Sequence, residues 1–164
     1  MLVVNAAMLF LAIQITIVLK ADKMVQASDD IYDTEETQGV ESVHNFEEED
    51  KKILLKIAMA EAEGEGVEGK AYVMMVILNR MSSVDFPETI KGIVFEKNQF
   101  TPVKKGGRYW TIEPDKECYE AYQLLQSGWD ESEGALYFCR TGSSSWMEKN
   151  TEYLYTIGNH SFYK

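Results

Sequence analysis

The stretch from Val67 to Met81 constrains the fold more than any other. Drawn as a helix, it sets Val67, Ala71, Met74, Met75 and Leu78 on one face, while Tyr72, Val73, Val76 and Ile77 cover most of the rest. A helix that is apolar nearly all round belongs at the centre of a domain, so the rest of the chain must be laid around it. Its methionines are core filler. At 164 residues, 45% apolar and 26% charged, the chain has the length for one domain, two at most, and the composition to give it a core. That excludes a wholly disordered chain, a collagen-like repeat and a polytopic membrane protein.

The charge is uneven. The chain carries 16 Lys+Arg against 27 Asp+Glu, a net of -11, which repels phosphate backbones and argues against nucleic acid as a partner. Ten acidic residues and no Lys or Arg lie between Ser28 and Asp50, whereas the remainder from Lys51 is near neutral. So polar a segment, with Val40 and Phe46 among its few apolar residues, reads as a disordered spacer. Before it, Leu2–Leu19 holds no charge, and as a helix it would span roughly 27 Å. Val25-Gln26-Ala27 ends in the small residue of a cleavage site, but no Lys or Arg precedes the apolar run. The expectation is a signal peptide or membrane anchor over 1–27, an acidic disordered spacer over 28–50 and a folded domain over 51–164. The domain then lies outside the cytoplasmic membrane, secreted or tethered to its outer face, and touches membrane only through the N-terminal segment.

Asp50 as N-cap and Gly64 as stop predict a helix to about Ala62. On a wheel begun at Ile53, Glu61 falls at about 80°, inside the stripe of Ile53, Leu54, Ile57 and Ala58. Glu63 falls on the opposite, wet side. A carboxyl at the end of an apolar stripe is desolvated, which raises its pKa and keeps it protonated. Seen alone, such a Glu is as readily a hydrogen-bonded structural residue as a catalytic acid. Further helices are expected from Phe86-Pro87 through Phe95 and over Asp115–Ser127, with a strand over Ala135–Cys139 that Tyr153–Tyr155 pairs with. No Gly-x-Ser-x-Gly elbow, P-loop, dinucleotide fingerprint or calcium loop is present, and His160 is the one histidine of the domain. No cofactor and no metal is expected. Cys118 and Cys139 are too few for a disulfide scaffold, and their pairing stays open.

Eight motifs stand in order from Ile53 to the end: Ala60-Glu61-Ala62-Glu63-Gly64-Glu65, Glu68-Gly69, Leu78-Asn79-Arg80, Phe86-Pro87 with Thr89-Ile90, Gln99-Phe100-Thr101, Gly128-Trp129, Ala135-Leu136-Tyr137-Phe138, and Gly158-Asn159-His160 with Phe162-Tyr163. In this the chain resembles the SleB/CwlJ-type cell-wall hydrolases, the spore-cortex-lytic enzymes. It departs from them at Glu63, where the family usually carries Arg or Ser. Many members also carry a separate peptidoglycan-binding domain ahead of the catalytic one, where this chain has its acidic spacer.

The resemblance implies an α+β fold: a mainly helical lysozyme-like domain with a small antiparallel sheet. It also implies cleavage of peptidoglycan glycan strands, at the β-1,4 bond between N-acetylmuramic acid and N-acetylglucosamine, by lytic transglycosylation. It assigns the catalytic acid to Glu61, the residue that the wheel singles out. It places Gln99, Phe100, Thr101, Tyr137 and Trp146 beside Glu61 as glycan-positioning residues, although for each aromatic a core role competes. Ordinary retaining glycosidases use two carboxyls about 5 Å apart. No convincing second carboxylate stands out, since Glu65 is nearest but Gly64 breaks its geometry. A monomer is expected. The alternative is a wall-binding or regulatory protein that keeps the fold without turnover.

Overall fold

The computed structural model describes residues 46–164. The expected signal peptide or anchor and most of the spacer therefore lie outside the described residues. Five α-helices are described: α1 (Glu48–Glu61), α2 (Gly66–Met81), α3 (Ile90–Phe95), α4 (Lys116–Gln126) and α5 (Ser145–Asn150). Single 3-10 turns lie at Thr101–Val103 and Arg108–Trp110. The strands β1 (Tyr137–Arg140), β2 (Tyr153–Ile157) and β3 (His160–Tyr163) form an antiparallel sheet in the order β1-β3-β2. This is the α+β, mainly helical architecture with a small antiparallel sheet that the resemblance implies.

The all-round apolar character of α2 has a direct cause. Ala71, Val73, Met74, Ile77 and Leu78 pack with Leu54, Ile57 and Ala58 of α1, with Ile93 of α3, and with Ala121 and Leu125 of α4. Tyr72 and Val76 turn the other way, into a second cluster with Ala135 and Phe162 of the sheet. The Tyr72 ring lies 5.3 Å from Phe162, 5.1 Å from Tyr155 and 5.1 Å from Trp129. Helices cover one side of α2 and the sheet covers the other. Each such fully buried aliphatic side chain contributes about 1.5–3 kcal/mol.

Lys70 is the exception within α2. It is 1% exposed, and its Nζ donates to Asp115 Oδ2 at 2.8 Å and to Glu117 Oε2 at 2.6 Å, which ties the start of α4 to the central helix. Burial works against its charge, but the two carboxylates outweigh that and hold its pKa above the ordinary lysine value.

Several expected boundaries move. Helix α1 starts at Glu48 with Glu47 as N-cap, so Asp50 sits in the first turn with Glu48 and Glu49, where the positive end of the helix dipole favours acidic side chains. Phe46 packs against the core, 6.2 Å from the Tyr122 ring. The last residues assigned to the spacer thus belong to the domain. Phe86, Pro87 and Glu88 are not helical, and α3 begins after Thr89, whose hydroxyl accepts from the Gly92 amide. Strand β2 does not pair with β1. The segment after Gly158-Asn159 forms β3 and lies between them, because those two residues make a tight hairpin loop between Ile157 and His160. Gly158, with φ +53°, suits the first position of such a loop. Cys118 and Cys139 are free thiols, and burial pushes the Cys118 thiol up to about 12.

Candidate active site

Glu61 is the last residue of α1, where the buried stripe of Ile53, Leu54, Ile57 and Ala58 reaches the surface. Among the described residues no hydrogen bond or ion pair to its carboxyl is present, and burial alone pushes its pKa from 4.5 up to about 7. Near neutrality this group therefore holds a transferable proton about half the time. Glu63, two residues on, is exposed and ion-pairs with Arg108. The contrast is the one the helical wheel predicts, but Glu63 lies in the turn past the end of α1 and has a partner rather than water alone.

Glu61 stands where two hollows meet. The first, about 460 Å³, is lined by Arg80 at the end of α2, by the loop Asn98–Thr101, by β1, by Trp146 and Met147 of α5, and by His160. The second, about 320 Å³, is lined by Glu63, Gly64, Glu65, Arg140, Asn159 and His160. Glu61, Arg140 and His160 border both, so the hollows form one groove with the carboxyl at its middle.

All five expected positioning residues line the first lobe with Glu61: Gln99, Phe100, Thr101, Tyr137 and Trp146. Their settings differ. Trp146 is exposed at 59% on α5, a helix capped by Ser144, and it presents a free indole face. Phe100 is 2% exposed and packs 6.2 Å from the Phe138 ring, so it forms the floor and offers no open face for stacking. Tyr137 packs against the Phe86 ring at 6.0 Å and the Arg80 guanidinium at 5.6 Å. Gln99 and Thr101 are exposed on the rim.

Four groups of the groove were not anticipated from sequence. Arg80 is 4% exposed, with Nε donating to the Leu136 carbonyl at 2.7 Å and Nη1 to Gln99 Oε1 at 3.3 Å. Its guanidinium lies 4.9–5.6 Å from the rings of Phe86, Phe100 and Tyr137, and burial pulls its pKa down to about 10. Its place in the Leu78-Asn79-Arg80 motif, a charge closing an apolar helix, was the available signal. His160 opens β3 with its ring edge-on to Phe138 at 5.4 Å, and Arg140 closes β1. Glu65 also enters the groove despite Gly64. Its side chain is only 7% exposed, and it accepts from the Asn159 amide at 3.0 Å and from Asn159 Nδ2 at 2.8 Å. Burial would raise its pKa, but these bonds, with the nearby His160 and Arg140 charges, outweigh that and hold it below the ordinary glutamate value. Two carboxyls on one lobe are thus driven apart in pKa, one up by burial and one down by its hydrogen bonds and neighbouring charges.

The family model described as cell wall hydrolase matches residues 64–163. The chain is 36% identical over 135 residues to the spore cortex-lytic enzyme of Oceanobacillus iheyensis, covering 79% of this chain and 48% of that protein. It is 36% identical over 119 residues to the spore cortex-lytic enzyme of Bacillus subtilis, covering 71% and 38%. It therefore spans half or less of the length of these relatives. Among solved structures, the catalytic domain of the germination-specific lytic transglycosylase SleB from Bacillus anthracis superposes with a TM-score of 0.64 at 31% identity, over 73% of this chain and 97% of that one. The catalytic domain of the Bacillus cereus SleB protein gives a TM-score of 0.65 at 29% identity, over 78% and 100%. With the matched family model covering α2, the sheet and most of the groove, the chain belongs to the cell wall hydrolase family.

Proposed function

We propose that this protein cleaves peptidoglycan glycan strands at the β-1,4 bond between N-acetylmuramic acid and N-acetylglucosamine, as a lytic transglycosylase, outside the cytoplasmic membrane. The observation that carries the reading is Glu61, a carboxyl raised to about 7 by burial at the meeting point of a two-lobed groove. A polymer needs a site open on both sides of the bond that breaks, and the two lobes supply that.

The chemistry needs one carboxyl used twice. Protonated Glu61 gives its proton to the glycosidic oxygen as the bond from that oxygen to the muramic anomeric carbon breaks. The C6 hydroxyl of the same sugar then attacks that carbon, and its proton passes to the Glu61 carboxylate. A 1,6-anhydro ring forms, no water is consumed, and the acid is regenerated. Because the attack is intramolecular, proximity supplies much of what a nucleophilic carboxylate gives in a retaining hydrolase. The exposed Trp146 face and the Gln99 and Thr101 side chains hold the glycan along the first lobe, over a floor made by Phe100 and Tyr137.

The test is digestion of purified peptidoglycan followed by mass spectrometry of the fragments. Muropeptides with 1,6-anhydro ends are the expected product. Reducing ends alone would make the enzyme a hydrolase, and intact glycan strands would remove the reading altogether.

A further inference from the structure

We propose that Glu65 is a positioning residue of this site, which clasps the β2–β3 loop to the turn after Glu61 and so fixes His160 as the wall shared by both lobes. The inference rests on the glycan-cleaving reading above for its consequence, though not for its geometry.

The clasp joins segments 94 residues apart. The Asn159 amide donates to Glu65 Oε2 at 3.0 Å, and Asn159 Nδ2 donates to Oε1 at 2.8 Å. His160 Nδ1 lies 3.7 Å from the same Oε1. The fit is close on both sides: a Cβ at Gly158 would collide with the Glu65 carboxylate, and a Cβ at Gly69 would collide with Glu65 Cβ. With no side chain at position 158, the loop reaches Asn159 to Glu65 without displacing that carboxylate. A carboxylate so enclosed and so fully hydrogen-bonded is not free to take part in bond breaking. Its effect falls on what it holds.

What it holds is His160. The imidazole is pinned on one side by the edge-on Phe138 ring and on the other by Glu65. It faces charged groups from three further places: Glu61 on α1, Glu63 in the turn and Arg140 on β1. Among the described residues, Glu65 supplies the one carboxylate within 4 Å of its Nδ1. Burial lowers the His160 pKa, while Glu65 opposes that and Arg140 adds to it. Without the clasp, the β2–β3 loop that leads into His160 loses its hydrogen bonds to Glu65 in the turn after Glu61, and the imidazole loses the carboxylate that flanks it beside the acid. A displacement of about 1 Å in a positioning group can cost on the order of 100-fold in rate.

The experiment uses the full chain in three forms: wild type, Glu65→Gln, and Glu65→Gln combined with Asn159→Asp. The double variant exchanges the acid and the amide, so the side-chain bond between the two positions can re-form. Turnover on purified peptidoglycan, thermal unfolding and the His160 titration by NMR are read on each. The chain has two histidines, so His44→Gln in every background leaves one imidazole signal. Expected are a fall in kcat of at least about tenfold in Glu65→Gln with the protein still folded, a lower His160 pKa, and recovery of most of the kcat in the double variant. Wild-type kcat in folded Glu65→Gln overturns the proposal. So does a loss that only tracks the unfolded fraction, or a double variant that regains stability without regaining kcat. If the wild type itself cleaves no peptidoglycan, the functional reading fails. The His160 titration then still decides the clasp, since an unchanged pKa in Glu65→Gln would show that the two groups do not face each other in solution.

Discussion

Glu61 and Glu63 are separated by one residue, yet Glu61 is the last residue of α1 and Glu63 lies in the turn beyond it. The first ends a buried stripe, whereas the second reaches Arg108 across the surface. Glu61→Gln keeps the shape of the side chain but removes the transferable proton, so turnover on peptidoglycan should fall at least about 100-fold. Glu63→Gln should leave turnover nearly intact, because an exposed ion pair contributes only about 0–1 kcal/mol. The same assays in the wild type should show kcat declining as pH rises through about 7, as Glu61 loses its proton. Equal activity of the two variants would remove Glu61 from its role. The burial of Glu61 was legible in the sequence, since burial of one helix position depends on spacing that can be counted. The role of Phe100 was only half legible: its neighbourhood was right, but its ring is buried and packs against Phe138.

At the scale of elements, helix centres were readable and ends only in part. The interior of α1 follows from its apolar stripe, but its start depends on three acids in the first turn and on Phe46 finding Tyr122. Helix α4 begins where expected because Asp115 is a strong local signal, its Oδ1 accepting from the Cys118 amide at 2.9 Å. The same carboxylate also takes the Lys70 ammonium, so it caps one helix and anchors it to another. Burial would raise its pKa, but Lys70 and the Cys118 amide outweigh this and hold it below the ordinary 3.8. Its contribution to stability is therefore present above pH 3.8 and lost as pH falls through the lower folded value. Asp115→Ala should destabilise the fold by about 1–2 kcal/mol, and Asp115→Asn, which keeps the cap bond, by less. Urea denaturation midpoints near pH 7 would show the order, and a costlier Asn variant would contradict it.

For the molecule as a whole, the acid that serves the proposed reaction works against the fold. Glu61 binds its proton more tightly folded than unfolded, so the stability tied to it is complete below pH 4.5 and is lost as pH rises through about 7. The gap between 4.5 and about 7, at 1.36 kcal/mol per pH unit, sets an upper size of about 3 kcal/mol. Glu61→Gln should therefore unfold at a higher temperature than wild type at pH 8 and at nearly the same temperature at pH 4. A variant that is no more stable at pH 8 would show that the carboxyl is not desolvated in solution. What the sequence by itself determined is local: the buried core helix α2, the stripe that ends in Glu61, the cap at Asp115, and the ordered motifs that carry the resemblance to cell-wall hydrolases. These rest on periodicity and spacing within a few turns of chain. Only the tertiary structure decided that β3 runs between β1 and β2, that the Arg80 charge lies against three aromatic rings, and that Glu65 meets Asn159 across 94 residues. Pairings of that kind are selected by the packing of the whole domain, since strand order and long-range hydrogen bonds leave no period in the chain that forms them.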